Sequence, residues 1–300
     1  MNRRIAVFLA LALAAAAAVA PPAGAQLQDN LGALSGDNAK KYLGPLPDAL
    51  SGTMNSAIFT SGKVPMMGVT FQLGVKLMGI KFDDADRLFT PTDPPGFTSV
   101  APYEQAPTVI GAGSAVTQNG QGGTAVYYPG GFDVGEFAFA APQLTIGSVL
   151  GTKAVIRWAS GNFSSDNFIE KISFFGIGAQ HSISRYLPPL PIDLAAGVFY
   201  QSFKINENLL ESKAIHVDVT GSKDFALLQP YAAIGFDSFK LDALYEDSTN
   251  PGNNISVDFD RKTNVHLTAG LLANLPVVKI HAEANIAATN GLAVGLSFGK

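Results

Sequence analysis

The clearest structural pattern in the sequence lies near the end of the chain, in Val277-Val278-Lys279-Ile280-His281-Ala282-Glu283-Ala284-Asn285-Ile286. From Val278 onward, apolar residues alternate with polar ones. Successive side chains of a β-strand point to opposite faces, so this stretch has one apolar face and one polar face. The same alternation recurs at 69–77 and 215–220, which indicates a fold built from many strands of this kind.

The start of the chain has the features of a secretory signal peptide. Arg3 and Arg4 give a positively charged beginning, residues 5–19 are apolar, and Ala23-Gly24-Ala25 is a cleavage motif. The apolar run is too short for a membrane-spanning anchor. We therefore predict a cleaved signal peptide over 1–25, export from the cytoplasm, and location in the cell outer membrane if the remainder is a barrel.

The composition is that of a membrane protein without membrane-spanning helices. Hydrophobic residues make up 47% of the chain and charged residues only 15%, yet no run of about 18 apolar residues follows the signal. A β-barrel has this composition because its outer surface faces lipid. The net charge of −4, with no basic block, argues against nucleic acid as a partner. The absence of cysteine excludes disulfides and thiolate metal sites.

Strand-like segments fill most of the chain after residue 58. Residues 26–58 lack the alternation and read as short helices, whereas 59–300 reads as a barrel. A long insertion rich in glycine and proline, 83–142, interrupts it and could hold one extra hairpin. The predicted strands are 69–77, 143–150, 152–159, 168–184, 191–205, 212–221, 225–246, 255–273, 276–287 and 291–299.

These segments predict an all-β fold, an antiparallel transmembrane β-barrel of about 10–14 strands. Counting each predicted segment once gives ten strands, and a hairpin in the insertion would give twelve. An even number places the first and last strand ends on the same side of the membrane. The helical segment 26–58 would sit in or under the lumen and could plug it.

Two local patterns carry expectations of their own. Within 225–246 the apolar parity switches between Phe236 and Phe239, which predicts a bulge or a turn near Asp237-Ser238. Barrels also carry belts of aromatic residues at both membrane interfaces. We expect such a girdle, rather than an apolar ligand path, from Phe137-Ala138-Phe139 and Phe174-Phe175.

Nine polar residues are candidate lumen-lining side chains. They are Lys76, Arg157, His216, Asp218, Asp237, His266, Lys279, His281 and Glu283. Charges of both signs are mixed among them, so the sequence indicates no strong ion selectivity. His216 shares a strand face with Asp218, and His281 with Glu283, but neither spacing matches a metal template. We therefore expect a network of polar side chains, with no metal and no cofactor.

One motif could be catalytic. His181-Ser182-Ile183-Ser184 combines a histidine with two serines. Both serines fall on the strand face opposite His181, so no local pair of nucleophile and base forms. We expect no enzymatic activity, and a barrel enzyme acting on lipids is the least favoured alternative.

Three further stretches carry a family resemblance. They are Met67-Gly68-Val69-Thr70-Phe71, Pro142-Gln143-Leu144-Thr145-Ile146-Gly147 and Gly176-Ile177-Gly178-Ala179-Gln180-His181. They resemble an uncharacterised family of bacterial outer-membrane β-barrels, the domain of unknown function 6588. The resemblance implies a barrel over nearly the whole chain and no particular activity. A helical segment before a barrel is also similar to the outer-membrane fatty-acid transporters, whose N-terminus plugs the lumen.

The sequence leaves several functions open. The first is a barrel that passes or binds small molecules, including hydrophobic ones by analogy with the fatty-acid transporters. The alternative is a non-conducting envelope scaffold that binds partners through 83–142. A soluble β-sandwich shows similar alternation and is the alternative fold. The expected partners are outer-membrane lipid and a small hydrophobic ligand, and the oligomeric state stays open.

Overall fold

The structure, a computed structural model, describes residues 24–165, 168–206, 208–260 and 262–299. Its first elements are three short helices, α1 (Gly24–Gly32), α2 (Gly36–Tyr42) and α3 (Leu46–Met54). No helix within these ranges has the length and apolar character needed to cross a membrane. The predicted signal peptide lies outside the described residues, apart from 24 and 25, where α1 begins.

The strands follow the helices. In chain order they are β1 (Met67–Lys81), β2 (Leu88–Phe89), β3 (Ala106–Pro107), β4 (Val116–Asn119), β5 (Ala125–Tyr128), β6 (Glu136–Val149), β7 (Thr152–Ser165), β8 (Phe168–Ser182), β9 (Asp193–Ile205), β10 (Leu210–Ser222), β11 (Leu228–Glu246), β12 (Asn254–Asp258), β13 (Lys262–Asn274), β14 (Val278–Ile286) and β15 (Gly291–Gly299).

Ten of these strands close into one antiparallel barrel. Around the barrel the order is β1, β6, β7, β8, β9, β10, β11, β13, β14 and β15. The last strand pairs with the first, with Leu73 opposite Phe298. The remaining strand of the sheet, β12, pairs with the end of β11, so the predicted strand 255–273 is divided in two. The predicted all-β antiparallel barrel with a helical N-terminal segment is confirmed, with ten strands.

The two ends of the barrel differ. β1 begins and β15 finishes at one end, named the terminal end, where 150–151, 223–227 and 275–277 make short connections. The opposite end, named the loop end, carries the insertion, residues 82–135. Within it β2 pairs with β3 and β4 with β5, so these hairpins add no strand to the barrel. β6 begins at Glu136, earlier than the sequence predicts.

The outer surface of the barrel is apolar while the inward side chains across its middle are polar. On β10, Val217 and Val219 are 47% and 41% exposed, whereas His216 and Asp218 are 5% and 4% exposed. A soluble sheet turns its apolar face inward, so this surface suits lipid better than water. The large apolar side chains exposed on other barrel strands include Phe71, Leu77, Trp158, Ile177, Val198, Ile234, Val265, Ile280 and Val294.

The interior changes character along the barrel axis. On β11, buried Asp237 lies toward the terminal end, and buried Phe239 and Leu241 lie toward the loop end. Residues 231–243 pair with β10 in unbroken register, so the predicted bulge or turn near Asp237-Ser238 is wrong. The parity switch arises because the interior turns from polar to apolar while the strand keeps the same face inward.

Phenylalanines on the barrel strands line the apolar half of the interior. Phe139 packs edge-to-face on Phe174 and Phe203, with ring centroids 4.9 and 6.0 Å apart. Phe174 is buried, while its neighbour Phe175 faces outward. The predicted membrane girdle is therefore wrong for Phe137, Phe139 and Phe174, because these rings join a core formed with the N-terminal helices.

Candidate functional site

The N-terminal segment occupies the barrel interior. α1 and α2 lie at the loop end, where the Tyr42 hydroxyl donates a 3.0 Å hydrogen bond to the Gly130 carbonyl. Burial raises the pKa of Tyr42 to about 12. From α3 onward the chain descends to the terminal end, where the Gly62 amide donates to the Ser222 hydroxyl at 3.0 Å. Residues 24–66, named the plug, thus run from one end of the lumen to the other.

Two side chains of the wall hold the end of α3. Arg157 Nη1 and Gln201 Nε2 both donate to the Met54 carbonyl oxygen, at 3.1 and 2.8 Å. Arg157 is completely buried, and its Nε donates to Gln143 Oε1 at 2.7 Å. A cation is favoured at the C-terminus of a helix because the helix dipole places negative charge there. The wall therefore fixes the plug at the point where α3 ends.

Glu283 makes a second attachment to the plug. Its Oε1 accepts hydrogen bonds from the Ala57 amide at 2.6 Å and from Asn285 Nδ2 at 2.9 Å. Its Oε2 accepts one from the Tyr231 hydroxyl at 2.7 Å. A buried carboxylate needs its oxygens bonded, since an unpaired buried charge is costly. The hydrogen bond from the Ala57 amide therefore stabilises the buried Glu283 carboxylate and also fixes the plug to the wall.

A chain of hydrogen bonds runs from Asn285 across the wall. Because Asn285 Nδ2 donates to Glu283, its Oδ1 faces Thr268 Oγ1 and His266 Nε2, at 2.7 and 2.9 Å. His266 Nδ1 lies 2.7 Å from Asp237 Oδ2. With the amide orientation assigned from these bonds, His266 donates from both ring nitrogens. His266 therefore links the Asn285 amide to the Asp237 carboxylate.

Asp237 also joins His216 to this network. His216 Nδ1 lies 2.6 Å from Asp237 Oδ1, and the His216 and His266 rings meet edge-to-face with centroids 5.3 Å apart. Ligand atoms of these three residues lie within 4.8 Å of one another, a spacing at which imidazole and carboxylate can share a metal ion. Each Nδ1 already has its own Asp237 oxygen, so the cluster is complete as a hydrogen-bond network.

A cavity of about 230 Å³ opens beside the plug at the terminal end. Lys63, Lys76, Lys153 and Lys279 line it, and no carboxylate of the described residues does. Lys63 bonds to Asp224, and this hydrogen bond raises the pKa of Lys63. The other three lysines have no hydrogen bond or ion pair within the described part of the chain. Among the described residues, the ionisable groups that line the cavity are therefore all basic.

Gly295 lets two polar side chains meet next to this cavity. A Cβ atom at Gly295 would lie 2.3 Å from His281 Nε2 and 2.6 Å from Lys76 Cδ. Both ring nitrogens of His281 are buried without a hydrogen-bond partner among the described residues. His281 thus packs beside Lys76 and stays outside the hydrogen-bond network of Glu283 and Asp237.

The nine candidate lumen residues all lie inside the barrel, in separate groups. The hydrogen-bond network contains His216, Asp237, His266 and Glu283. Arg157 holds α3, and the cavity is lined by Lys76 and Lys279. Asp218 accepts a hydrogen bond from Thr220, and His281 has no hydrogen-bond partner in the described ranges. Three further wall residues, Gln143, Gln201 and Tyr231, bond to the plug or the network without having been predicted. Their inward strand parity is the signal that could have found them.

His181 lies apart from these groups. Its Nδ1 is 2.7 Å from Thr152 Oγ1, and its Nε2 is 3.0 Å from the Tyr186 hydroxyl. Neither partner is one of the serines of the His181-Ser182-Ile183-Ser184 motif. The histidine therefore joins the start of β7 to the connection after β8.

Gly197→Ala is expected to destabilise the plugged barrel. An added Cβ would lie 2.2 Å from the Phe59 ring of the plug and 2.5 Å from Asp218 Oδ1. Overpacking of this kind costs about 1–3 kcal/mol. The measurement is the urea midpoint of folding, followed by heat-modifiable gel mobility. Gly68→Ala is the control because its Cβ would meet nothing within 4 Å; equal midpoints for the two variants would contradict close packing of the plug.

Comparison with known families decides where this barrel belongs. A family of unknown function has a sequence model that matches residues 1–300. The chain belongs to the DUF6588 family. The resemblance noted in the sequence is thereby confirmed. No curated protein matches this DUF6588 member significantly.

Solved structures similar to this DUF6588 member include OmpT, an outer membrane protein of Vibrio cholerae. In-vitro folded OmpT is 8% identical, with 81% of this chain and 100% of OmpT covered and a TM-score of 0.27. Outer-membrane expressed OmpT is 9% identical over 79% and 99% of the two chains, also at 0.27. OccK2 (OpdF) of Pseudomonas aeruginosa is 8% identical over 73% and 64%, at 0.15.

Proposed function

We propose that this protein is inserted in the cell outer membrane, binds small polar molecules in its lumen and lets them pass when the plug moves. The apolar outer surface of the barrel is the observation that supports insertion in the membrane. Across the middle of the barrel, exposed residues such as Val217 and Ile280 alternate with buried polar residues such as Asp218 and His281. Lipid-facing and lumen-facing residues alternate in this way in transmembrane barrels.

A belt of charges supports a membrane boundary near the loop end. On the outer surface Lys204 and Lys213 pair with Glu211 at 3.2 and 3.1 Å, and Lys240 pairs with Asp242 at 2.7 Å. Charged side chains on the lipid face are costly in the bilayer centre and cheap near its interfaces. Outer-membrane lipid is therefore the first partner that we propose.

The attachments of the plug support movement rather than a permanent seal. In the polar half of the barrel the plug is held largely by hydrogen bonds, from Arg157 and Gln201 to Met54 and from Ala57 to Glu283. Water can replace such bonds in a polar lumen, so each contributes only about 1–3 kcal/mol. A solute that competes for the same groups would weaken the hold of the wall on the plug.

The open space favours a polar solute over a hydrophobic ligand. The apolar half of the interior is filled by α1, α2 and α3 packed against the insertion. The cavity at the terminal end is lined by lysines together with hydroxyl and amide side chains. A polar lining of this kind binds charged or hydrogen-bonding molecules better than apolar ones.

Movement of the plug can be tested with single cysteines, since the chain contains none. Ser51 is buried on α3 and its hydroxyl has no hydrogen-bond partner in the described residues, so Ser51→Cys loses no bond. We expect a membrane-impermeant maleimide to label Ser51→Cys slowly in lipid vesicles, and the exposed control Ala85→Cys at once.

Either of two results would overturn the moving plug. Ser51→Cys that stays unlabelled for as long as the barrel stays folded would mean that the plug never leaves the wall. Ser51→Cys that reacts as fast as Ala85→Cys would mean that the interior is not closed. Heat-modifiable gel mobility, measured on the same samples, checks that both variants are folded.

A further inference from the structure

We propose that the cavity at the terminal end is a binding site for a small, multiply charged oxyanion, with inorganic phosphate as its simplest example. This rests on the proposed function and names the class of solute that the lumen takes up. The site consists of Lys76, Lys153 and Lys279 on three wall strands, facing the plug segment 58–65. No carboxylate among the described residues lines it.

The strongest support for the proposal is the environment of Lys76. This residue is only 4% exposed, lines the cavity, and has no hydrogen-bond or ion-pair partner among the described residues. A buried ammonium group without a partner costs several kcal/mol, on the order of the penalty for any unpaired buried ion. A bound anion would remove that penalty.

The charges around Lys76 make the need for an anion stronger. Arg157, Lys153 and Lys279 all act on Lys76 electrostatically, and the Glu283 carboxylate alone opposes them. Glu283 already accepts hydrogen bonds from the plug and its neighbours. Like charges that surround one cavity repel one another in a low-dielectric interior. The cluster is therefore held together best when an anion lies between its members.

The other carboxylates near the site do not line it. Asp218 acts on Lys153 electrostatically but lies outside the lining of the cavity, where it accepts a hydrogen bond from Thr220. Asp224 pairs with Lys63 and accepts a hydrogen bond from Gln229. The side chains of Lys76, Lys153 and Lys279 thus remain for a ligand.

The lining and the volume indicate the class of anion. Thr145, Ser297 and Gln72 stand beside the lysines and can donate hydrogen bonds to ligand oxygens. Lysine binds phosphate as a point charge, without a demand for planar geometry. The cavity of about 230 Å³ is smaller than the roughly 300–1,000 Å³ that drug-sized ligands occupy. A compact oxyanion fits these three properties together.

The test is isothermal titration of the purified full-length protein in detergent with inorganic phosphate. We expect saturable binding by the wild type and about a tenfold or greater loss of affinity in Lys76→Met, the equivalent of one lost charged hydrogen bond. Lys153→Gln is a second variant with the same expected direction, in case Lys76→Met folds poorly. Lys213→Met, a lysine on the outer surface paired with Glu211, is the matched control and should bind like the wild type.

Two outcomes would overturn the oxyanion site. One is folded wild-type protein without saturable phosphate binding. The other is unchanged affinity in both Lys76→Met and Lys153→Gln. Neither outcome would affect membrane insertion or labelling of Ser51→Cys, so failure of this site and failure of the proposed function are distinguishable.

Discussion

Arg157→Met is expected to open the barrel. The substitution keeps the length and apolar stem of the side chain but removes the hydrogen bond to the Met54 carbonyl and the buried cation at the end of α3. A hydrogen bond from a charged group contributes about 2 kcal/mol, which corresponds to a roughly 30-fold larger population of displaced plug. The measurement is leakage of a small solute from vesicles that contain the protein.

The control for this variant is Lys213→Met, which also replaces a cation by methionine but on the outer surface, away from the plug. It should leak like the wild type. Arg157→Met that remains folded and leaks no more than Lys213→Met would contradict the role of Arg157 in holding the plug. Gln201→Leu, which removes the second bond to Met54, should shift leakage in the same direction.

Val217→Arg is expected to weaken insertion into lipid strongly. Val217 is 47% exposed between Ile215 and Val219, in the middle of the apolar outer band. An arginine on the lipid face near the bilayer centre costs about 2–4 kcal/mol, and one near an interface costs only about 0–1. The measurement is the folded fraction in lipid vesicles across a urea series, read by heat-modifiable gel mobility.

Val277→Arg is the matched control for the depth of the substitution. Val277 is 60% exposed but lies in the 275–277 connection at the terminal end. Arginine at this position should change the free energy of folding in lipid very little. Equal costs at Val217 and Val277 would contradict a bilayer around the barrel, and wild-type protein that folds in buffer without detergent or lipid would favour a soluble fold.

The barrel could be predicted from the sequence because its signal is local. Alternation with a period of two residues depends only on neighbours along one strand, and stretches such as 277–286 carry it in full. The helical segment before the barrel could also be predicted from a local feature, because 26–58 lacks this alternation. The bulge near Asp237-Ser238 was predicted wrongly because the alternation of polar and apolar residues was used to assign the inward face of the strand. Polar residues mark that face only where the barrel interior is polar along the whole strand.

The candidate site was predictable only as a set of inward side chains. Lys76 and Glu283 could both be assigned to the lumen, but the sequence does not say which charges become neighbours. Gln201 and Tyr231 were missed because an uncharged polar residue or a tyrosine is not conspicuous on an alternating strand. What makes them important is contact with Met54 and with Glu283, each more than fifty residues away in the chain.

The strand pattern, the presence of one apolar face on each strand, and the family could all be recognised without the structure, since each depends on local order and composition. The tertiary structure alone decided three other properties: the plug fills the lumen, the interior is apolar at the loop end, and the lysines gather around a cavity without carboxylates. Lysines that lie far apart along the chain become neighbours in space. This happens because barrel closure sets which strands face one another, and the path of the plug sets which inward groups are left to bind something else.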